Sequence, residues 1–273
     1  MRHRPTIRDV AEQAGVHPGT ASRALNPALP GRITEATASR VRTAARELGY
    51  TPDPTARSLR TRRSGFVGVL IPDLTNPVLP PIVRGIEETL WHAGLACLLA
   101  DTDNDVEREA SAVHELEARR CEGLIVATAT RDSATVRALA NGEMPTVLVT
   151  RDVDGAGLPF VGGDDATGVA EAAKHLVALG HERIAYIAGP EELSTTVTRL
   201  GAVRAAIDAT DPSPRLTVRH ASAYTTAAGR EAATELLSDT GDVTAILAGN
   251  DMMAIGVLEA LTAAGMSCPD DVS

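Results

Sequence analysis

The segment Thr6-Ile-Arg-Asp-Val-Ala-Glu-Gln-Ala-Gly-Val16 opens the patterned part of this 273-residue chain. Thr6 and Asp9, three residues apart, have the spacing of a capping box at the start of a helix. The apolar residues that follow recur three and four positions apart, as on one face of an α-helix. Gly15 then supplies the positive φ at which helices often end. We therefore predict a short amphipathic helix that ends at Gly15.

A second short helix is predicted over Pro18–Leu25, because proline is well tolerated in the first turn of a helix. Its apolar positions are Ala21, Ala24 and Leu25. Ala11 and Ala21 are small, so the two helices can cross at short range. This arrangement is typical of a helix-turn-helix, whose second helix enters the major groove of DNA. The alternative is an ordinary helical hairpin with solvated polar residues.

The outward positions of the second helix carry side chains that suit DNA. They are Gly19, Thr20, Ser22 and Arg23. Arg23 can donate two hydrogen bonds to one guanine. The hydroxyl groups and the ring of His17 suit phosphates or bases. This polar face favours DNA recognition over a simple solvated surface.

Charge divides the chain into two parts of opposite sign. Residues 1–63 contain 12 arginines, no lysine and 5 acidic residues, a net charge of +7. The remaining residues contain 14 basic and 31 acidic residues, a net charge of −17. A cationic unit ahead of an acidic body indicates that the amino-terminal unit meets a polyanion.

Composition excludes several other classes of protein. Aromatic residues make up only 2% of the chain, which disfavours an RNA-binding platform built on ring stacking. The three cysteines form no CxxC pair, as is usual in a reducing compartment. No apolar run reaches the length of about 18 residues that spans a membrane, and the first residues do not resemble a signal peptide. We expect a cytoplasmic protein with no membrane partner.

These amino-terminal residues resemble the lactose-repressor (LacI/GalR) family, through the segment quoted above and then Thr20-Ala-Ser-Arg-Ala-Leu-Asn26. The resemblance implies an all-α helix-turn-helix headpiece followed by an α/β two-lobed periplasmic-binding-protein-like domain with parallel sheets. The headpiece residues that it assigns to DNA are Thr6, His17, Pro18, Gly19, Thr20, Ser22, Arg23 and Asn26. The family usually has serine where His17 stands, and the positions of Pro18 and Gly19 commonly select operator bases. Direct readout is therefore expected to depend more heavily on Arg23.

A third amphipathic helix is predicted over Ile33–Leu48, with Tyr50 at its end. The next segment, Tyr50-Thr-Pro-Asp-Pro-Thr-Ala-Arg-Ser-Leu59, resembles the family hinge, a short helix that folds on DNA in a dimer. The resemblance implies that Leu59 wedges into a base step of the minor groove with Ala56 beside it, and that Arg57 neutralises phosphate. The alternative is a solvated basic linker.

From Gly65 onward, short apolar runs alternate with amphipathic segments. Phe66–Ile71 is a continuous apolar run, as in a parallel strand buried on both faces. Further strands are predicted at Cys97–Ala100, Leu124–Ala127, Thr146–Val149, Ile184–Ile187, Leu216–Val218 and Ala245–Leu247. The helices predicted between and after them are Ile82–Ala93, Val106–Arg119, Ala134–Ala140, Gly168–Leu179, Val197–Ile207, Ala227–Leu237 and Met252–Ala264. The alternation predicts two doubly wound lobes, with Arg151–Pro159 crossing between them and a ligand cleft at the carboxyl ends of both sheets.

We expect three parts: a headpiece at 1–50, a hinge at 51–63, and an effector-binding and dimerisation domain at 64–273. Within the last part, the first lobe is expected at about 64–159 and the second at about 160–273. Segments of this part that also match the family are Asn76-Pro77, Gly85–Glu87, Asp101–Asp103, Gly123–Val126, His175–His181, Ile187–Pro190 and Gly249–Gly256.

The resemblance further implies that polar side chains at strand ends bind a small effector such as a sugar. The positions implied are Asn76, Asp164, Thr195, Arg199, Tyr224 and Asn250. The Arg199 fork can bind hydroxyls or a carboxylate, and the Asn250 amide offers both a donor and an acceptor. In the alternative interpretation, Asn250 or Asp251 caps the following helix and Arg199 is a surface ion-pair partner.

Two features depart from the family. Val78-Leu79 stand where the family often has two phenylalanines, which removes aromatic stacking on a sugar. The sequence stops at Ser273, where the family normally continues into a strand with a further effector-binding aspartate. We therefore expect the sequence to be a fragment whose first lobe lacks its returning element.

An enzyme and an exported solute-binding protein are the competing classes. No GxGxxG follows the first strand, no GxxxxGK[ST] occurs, and the histidines lack metal-ligand spacing, so no cofactor or metal is expected. A solute-binding protein would need a signal peptide in place of the basic unit. We expect a transcriptional regulator, and more specifically a repressor, with double-stranded operator DNA and a sugar-like effector as partners. A homodimer or tetramer is implied, and a regulator of the same fold that binds no sugar is the alternative.

Overall fold

The structure is a computed structural model that describes residues 5–25, 33–51, 63–239 and 242–273. Contacts divide the chain into two compact units, Met1–Ser64 and Gly65–Ser273. None of the helices in these described parts is long and apolar enough to cross a bilayer.

The small unit contains three helices, α1 (Ile7–Gln13), α2 (Pro18–Ala24) and α3 (Glu35–Leu48). Their shared core consists of small and β-branched side chains, among them Val10, Ala11, Ala21, Val41 and Ala44. Ala11 is 1% exposed and Ala21 is fully buried, which confirms that small residues let the first two helices approach closely.

Local hydrogen bonds fix where these helices begin and end. The Asp9 carboxylate accepts the backbone N–H of Thr6 at 2.7 Å, as the capping box predicts, and it also accepts the Thr6 hydroxyl at 2.9 Å. Gly15 has φ of +63°, which confirms the predicted turn, although α1 itself stops two residues earlier. Tyr50 does not end α3, because Gly49 adopts the left-handed conformation there. Thr34 has extended backbone angles, so α3 begins two residues after Ile33.

The first lobe of the large unit is a five-stranded parallel sheet in the order β2-β1-β3-β4-β5. Its strands are β1 (Phe66–Ile71), β2 (Ala96–Asp101), β3 (Leu124–Val126), β4 (Thr146–Val149) and β5 (Phe160–Val161). Its helices are α4 (Leu79–His92), α5 (Val106–Ala118) and α6 (Ala134–Ala140).

The interior strand β1 is buried on both faces, as its continuous apolar sequence predicts. Leu70 packs with Val126 and Leu148 in the core on one face of the sheet. Val69 and Ile71 point to the other face and pack with Leu79 at the start of α4. Two apolar layers therefore hold the sheet between its helices and fix the positions of the loops at its carboxyl end.

The second lobe is a three-stranded parallel sheet in the order β7-β6-β8. Its strands are β6 (Arg183–Ala188), β7 (Arg215–His220) and β8 (Ala245–Ala248). Its helices are α7 (Asp165–Ala178), α8 (Ser194–Asp208), α9 (Thr226–Asp239) and α10 (Asp251–Ala263). The predicted strands and helices of both lobes are present, with boundaries that differ by a few residues.

The segment Arg151–Pro159 does not cross between the lobes, so that prediction is wrong. The chain after it returns to the first sheet, where β5 pairs with β4 through Leu148 and Phe160. The passage to the second lobe follows Val161 and ends at Asp165, the first residue of α7. A strand of two residues is too short to show a hydrophobic period, which is why the sequence pattern missed it.

Candidate functional site

The outward face of α2 is polar and accessible. His17 and Arg23 are exposed, and Thr20 and Ser22 are half-buried beside the fully buried Ala21. Apolar contacts thus hold one side of the helix against the core, while the side with the predicted DNA-binding residues is open.

His17 caps α2 through its ring. Its Nδ1 accepts the backbone N–H of Gly19 at 3.1 Å, which takes the place of the serine hydroxyl expected at this position. A neutral ring that accepts at Nδ1 carries its proton on Nε2. His17 therefore caps the start of α2, and its exposed ring keeps a second nitrogen, Nε2, that is not used in the cap.

Gly19 leaves room for the ring of His17, while Arg23 lies at ordinary contact distance. A Cβ atom at this position would lie 3.3 Å from Nδ1 of His17 and 3.9 Å from Nη2 of Arg23. Arg23 folds back along the helix and donates from Nε to the Gly19 carbonyl at 3.0 Å. Among the described residues, Nη1 and Nη2 of Arg23 have no hydrogen-bond partner, so they form a pair of donors suited to a base.

The remaining predicted DNA-binding residues have separate placements. Thr6 is exposed, and its hydroxyl is bonded to Asp9. Pro18 is the first residue of α2 and is half-buried. The others, Asn26, Ala56, Arg57 and Leu59, lie outside the described residues.

A polar cavity of about 170 Å³ lies between the two lobes of the large unit. The first lobe lines it with Asn76, Asn104 and Arg151, and the second lobe with Pro190 and Tyr224. Asn76 and Tyr224, predicted from sequence as effector residues, therefore face the same space from opposite lobes. The loops that supply these groups follow strand ends, as expected for a ligand site in parallel sheets.

A second, more open depression of about 540 Å³ contains Arg199 and Asn250. Val78 of the first lobe also lines it, at a position where the family often has an aromatic ring. Tyr224 joins this depression to the cavity, because its ring centroid lies 5.7 Å from Cζ of Arg199.

Arg199 is held in a defined geometry by the second lobe. Its Nε and Nη2 donate to Asp165 Oδ1 at 3.0 and 2.7 Å, and its Nη1 donates to the Gly249 carbonyl at 2.6 Å. Burial lowers the pKa of the guanidinium, but the hydrogen bond with Asp165 and nearby negative charge outweigh it and raise the pKa overall. The pair places a cationic donor next to an anionic acceptor, which suits adjacent hydroxyl groups of a ligand.

Tyr224 sits in a slot made by two glycines. A Cβ atom at Gly189 would lie 2.3 Å from Cζ of this ring, and a Cβ at Gly249 would lie 3.4 Å from its Cε1. The Tyr224 hydroxyl is 2.8 Å from Oγ1 of Thr196, which is buried. Close backbone approach on one side and a hydrogen bond on the other fix the ring at the cleft.

Two of the predicted effector residues cap helices, and a third, Thr195, lies within the first turn of a helix. The exposed Asp164 caps α7 by accepting the backbone N–H of Thr167 at 3.1 Å, and its hydrogen bonds with Thr167 lower its pKa. Asn250 caps α10 at the Met253 N–H, and its amide also donates to the Tyr224 carbonyl at 3.4 Å. Thr195 is half-buried in the first turn of α8.

The structure brings Asp165 and Thr196, rather than their neighbours Asp164 and Thr195, to Arg199 and Tyr224. The sequence did hold a signal that separates the two aspartates, because Asp164 has the N-cap position with Thr167 three residues on, which leaves Asp165 to meet Arg199. The cleft residues Arg151 and Glu109 were also missed. Neither belongs to a local motif.

A helical headpiece with an open recognition helix, joined in one chain to a two-lobed α/β domain with a polar cleft, defines the class of ligand-sensing DNA-binding regulators. The family model "Bacterial regulatory proteins, lacI family" matches residues 6–53. The model "Periplasmic binding proteins and sugar binding domain of LacI family" matches residues 64–273. The chain belongs to the LacI family, as its sequence resemblance predicted, and is a regulatory protein rather than an enzyme.

Known proteins resemble the chain over most of its length. The HTH-type transcriptional regulator DegA of Bacillus subtilis is 32% identical over 271 residues, covering 98% of this chain and 80% of DegA. A lac repressor dimer bound to operator and the anti-inducer ONPF superposes with a TM-score of 0.86 at 28% identity, covering 99% of this chain and 81% of that one. A complex of the regulator CelR with cellobiose gives a TM-score of 0.66 at 29% identity, with coverage of 99% and 81%. These matches confirm the predicted fold class.

Proposed function

We propose that this chain is a transcriptional repressor that binds operator DNA as a homodimer and responds to a small sugar-like effector in the cleft between its lobes. The observation that carries the proposal is the division of α2 into a buried apolar side at Ala21 and an accessible polar side with His17 and Arg23. The lac repressor match, a dimer bound to operator, supports the DNA partner and the homodimer. A tetramer, formed from two such dimers, would serve the same function.

In this function α2 lies in the major groove. Arg23 donates from its two terminal nitrogens to a guanine, and Nε2 of His17 donates to a base or a phosphate. Residues 51–63 form the hinge, in which Leu59 enters the minor groove and Arg57 neutralises phosphate. The headpiece comprises residues 1–50, and the effector domain comprises residues 64–273. We include a cytoplasmic site of action in this proposal, because the protein must reach the operator DNA.

The effector contacts both lobes. Asn76 reaches it from the first lobe, and Arg199, Tyr224 and Asn250 reach it from the second. We add Asp165 and Thr196 to the predicted residues Asp164 and Thr195, because these neighbours hold Arg199 and Tyr224 in place. The complex of CelR with cellobiose supports a sugar as the class of ligand.

Effector binding acts on DNA affinity through the angle between the lobes. Two hydrogen bonds link the lobes beside the cleft: Arg131 N–H to the Glu192 carbonyl at 2.9 Å, and Asp152 N–H to Ser194 Oγ at 2.8 Å. A ligand that binds one lobe arrangement more tightly shifts the population toward it, and the hinge transmits that shift to the headpiece.

Gel shifts on an operator selected from random duplexes, repeated over a salt series, test this function. Replacing Arg23 by alanine should lower the preference for the selected site by about 5- to 150-fold, since one bidentate contact contributes about 1–3 kcal/mol of discrimination. Leu59→Ala should weaken binding and reduce bending of the DNA. Arg204→Ala, at an exposed position of α8, is the matched control and should bind like the parent. Equal binding by all four proteins contradicts the proposed contacts, and absence of DNA binding by the parent indicates a solute-binding protein instead.

A further inference from the structure

The first-lobe wall of the cavity holds two charged side chains that no part of the predicted site includes. Glu109 on α5 is 3% exposed, and Arg151 follows β4 and is half-buried. Removing charged groups from water is costly unless partners compensate, so a buried acid and a half-buried base in one cavity wall indicate a binding role.

The backbone before Arg151 is strained in a way that turns this side chain into the cavity. Thr150 has φ of +62°, which is rare for a β-branched residue. The Arg151 N–H donates to the Val149 carbonyl at 2.7 Å, so the hydrogen bond closes across Thr150 alone. Such a γ-turn with positive φ is uncommon and costs free energy, and strain of this kind concentrates at ligand sites.

Arg151 uses only part of its hydrogen-bonding capacity within the protein. Nη1 donates to the Thr128 carbonyl at 3.2 Å, and Nη2 donates to Asn104 Oδ1 at 2.9 Å. No ion pair between residues in the described ranges includes Arg151. A guanidinium has five N–H donors, so the remaining ones are left for a molecule in the cavity. Burial lowers the pKa of Arg151, while nearby acidic groups and Tyr224 oppose that shift.

Glu109 holds the wall together from behind. Its carboxylate accepts the hydroxyl of Thr128 and, at 2.8 Å, the hydroxyl of Ser133. Thr128 is therefore fixed at its side chain by Glu109, while its carbonyl accepts from Arg151. A connected set of buried hydrogen bonds of this kind rigidifies the groups that it links. Glu109 is a positioning residue for Arg151.

The charge of the cavity selects against anions. Its charged lining consists of the carboxylates Asp73, Asp105, Glu109 and Glu192 and the single guanidinium Arg151, a formal charge of −3. The negative charge of the lining would repel a ligand that carries a phosphate or carboxylate. The cavity is partly enclosed, and charges there interact more strongly than in water. A hydroxyl group, by contrast, can donate to a carboxylate and accept from the guanidinium at the same time.

We propose that Arg151 is the main effector-binding residue of the first lobe, positioned by Glu109 through Thr128, and that this wall selects an uncharged polyhydroxylated ligand over its phosphorylated counterpart. The proposal rests on the proposed function, since it names the ligand class for the same cleft.

Titration calorimetry with matched probes tests the ligand class. The pairs are ribose with ribose 5-phosphate, glucose with glucose 6-phosphate, and adenosine with its 5′-monophosphate. At least one uncharged member should bind, with its phosphorylated partner at least about tenfold weaker. Asp105 caps α5, and Asp105→Asn keeps a capping side chain while it removes one negative charge. This variant should reduce the preference for the uncharged probe over its phosphorylated partner several-fold. Tighter binding of a phosphorylated member, or binding of none of the six, overturns the proposal.

Variants of Arg151 test the residue assignment on the probe that binds. Arg151→Met should weaken binding roughly 10- to 100-fold, as expected for loss of a charged hydrogen bond. Arg151→Lys keeps the positive charge but lacks the planar guanidinium. Its affinity for the probe should lie between those of Arg151→Met and the parent, and it should still prefer the uncharged probe. Arg204→Met is the matched control and should bind like the parent.

Two further readouts separate this proposal from other failures. Thermal unfolding of each variant shows whether it is folded. If Arg151→Met does not fold, the affinities of Arg151→Lys and Asp105→Asn for the probes still test the proposal. Operator gel shifts without a probe, on the parent and on the control Arg204→Met, should give equal DNA affinities. Unchanged probe affinity in a folded Arg151→Met overturns the residue assignment and leaves the DNA-binding function intact, whereas failure of the parent to bind operator overturns the proposed function itself.

Discussion

Replacing Gly189 by alanine should displace the Tyr224 ring and lower stability and ligand affinity together. The new Cβ would lie 2.3 Å from Cζ and 2.7 Å from the hydroxyl oxygen of Tyr224. Carbon atoms in contact normally stay about 3.5–4.0 Å apart, so the ring must move by at least about 1.2 Å. Gly189 does not have a positive φ, so alanine adds no backbone strain and the effect is steric.

The size of the effect follows from the contacts that the ring would lose. The hydrogen bond to Thr196 at 2.8 Å contributes about 1 kcal/mol, and the contact with the Arg199 guanidinium contributes about 0.5–1 kcal/mol. If the ring stays in place instead, overpacking costs about 1–3 kcal/mol. Either response lowers the free energy of unfolding by about 2 kcal/mol. If the ring moves, effector affinity should fall by about tenfold, equivalent to about 1.4 kcal/mol, because Tyr224 leaves the cavity wall.

Urea unfolding followed by circular dichroism measures the change in the large unit. Gly201→Ala on α8 is the control, since a Cβ there meets nothing within 4 Å and should stabilise the helix by about 0.5–1 kcal/mol. Replacing glycine by alanine should thus lower the free energy of unfolding at Gly189 and raise it at Gly201. In a Tyr224→Ala background the cost of Gly189→Ala should nearly vanish. An undiminished cost in that background would falsify the steric argument, as would a Gly189→Ala protein as stable as the parent.

Three further predictions concern stability. Tyr186→Phe should leave the free energy of unfolding unchanged or raise it by up to about 1 kcal/mol, because the Tyr186 hydroxyl is buried and has no hydrogen-bond partner among the described residues; a clear loss in urea unfolding contradicts this. Gly256→Ala should destabilise by about 3 kcal/mol or more in the same assay, because its Cβ would lie 2.1 Å from the Thr226 carbonyl where α9 and α10 cross, and wild-type stability is the result that argues against it. The pKa of Asp164 is lowered by its bonds with Thr167, so its stabilising effect is present above the ordinary pKa and is lost as the pH falls through the lowered one. Asp164→Ala should therefore be less stable than the parent at pH 7, and unfolding curves at decreasing pH should converge; a constant difference refutes the capping role.

Much of the fold follows from short-range patterns. The capping pair Thr6 and Asp9, the glycine turn and the small residues at the helix crossing identify the first two helices, because helix caps and helix faces are local properties. The apolar run of β1 predicts a buried parallel strand for the same reason. The two residues of β5 escaped prediction because so short a strand has no period, and its place is set by pairing with β4.

The site was predictable in outline but not residue by residue. Arg199, Tyr224 and Asn250 cluster at the second lobe, yet the carboxylate that meets Arg199 is Asp165. Two adjacent aspartates at a helix start point in different directions, and only one of them can cap the helix. A family pattern can therefore predict an acidic residue at this point, but the geometry of the helix start decides which of the two aspartates contacts Arg199.

The amino-acid sequence alone determined the helix-turn-helix, the alternation of strands and helices, and the opposite charges of the two parts, because each depends on residues close together in the chain or on composition. Tertiary structure decided that Glu109 and Arg151 share one cavity wall and that Gly189 holds the Tyr224 ring. Glu109 and Arg151 are 42 positions apart, Gly189 and Tyr224 are 35 positions apart, and Glu109 contacts Ser133 over 24 positions. Contacts of that range arise from the packing of whole elements, and no periodic signal in the chain records them.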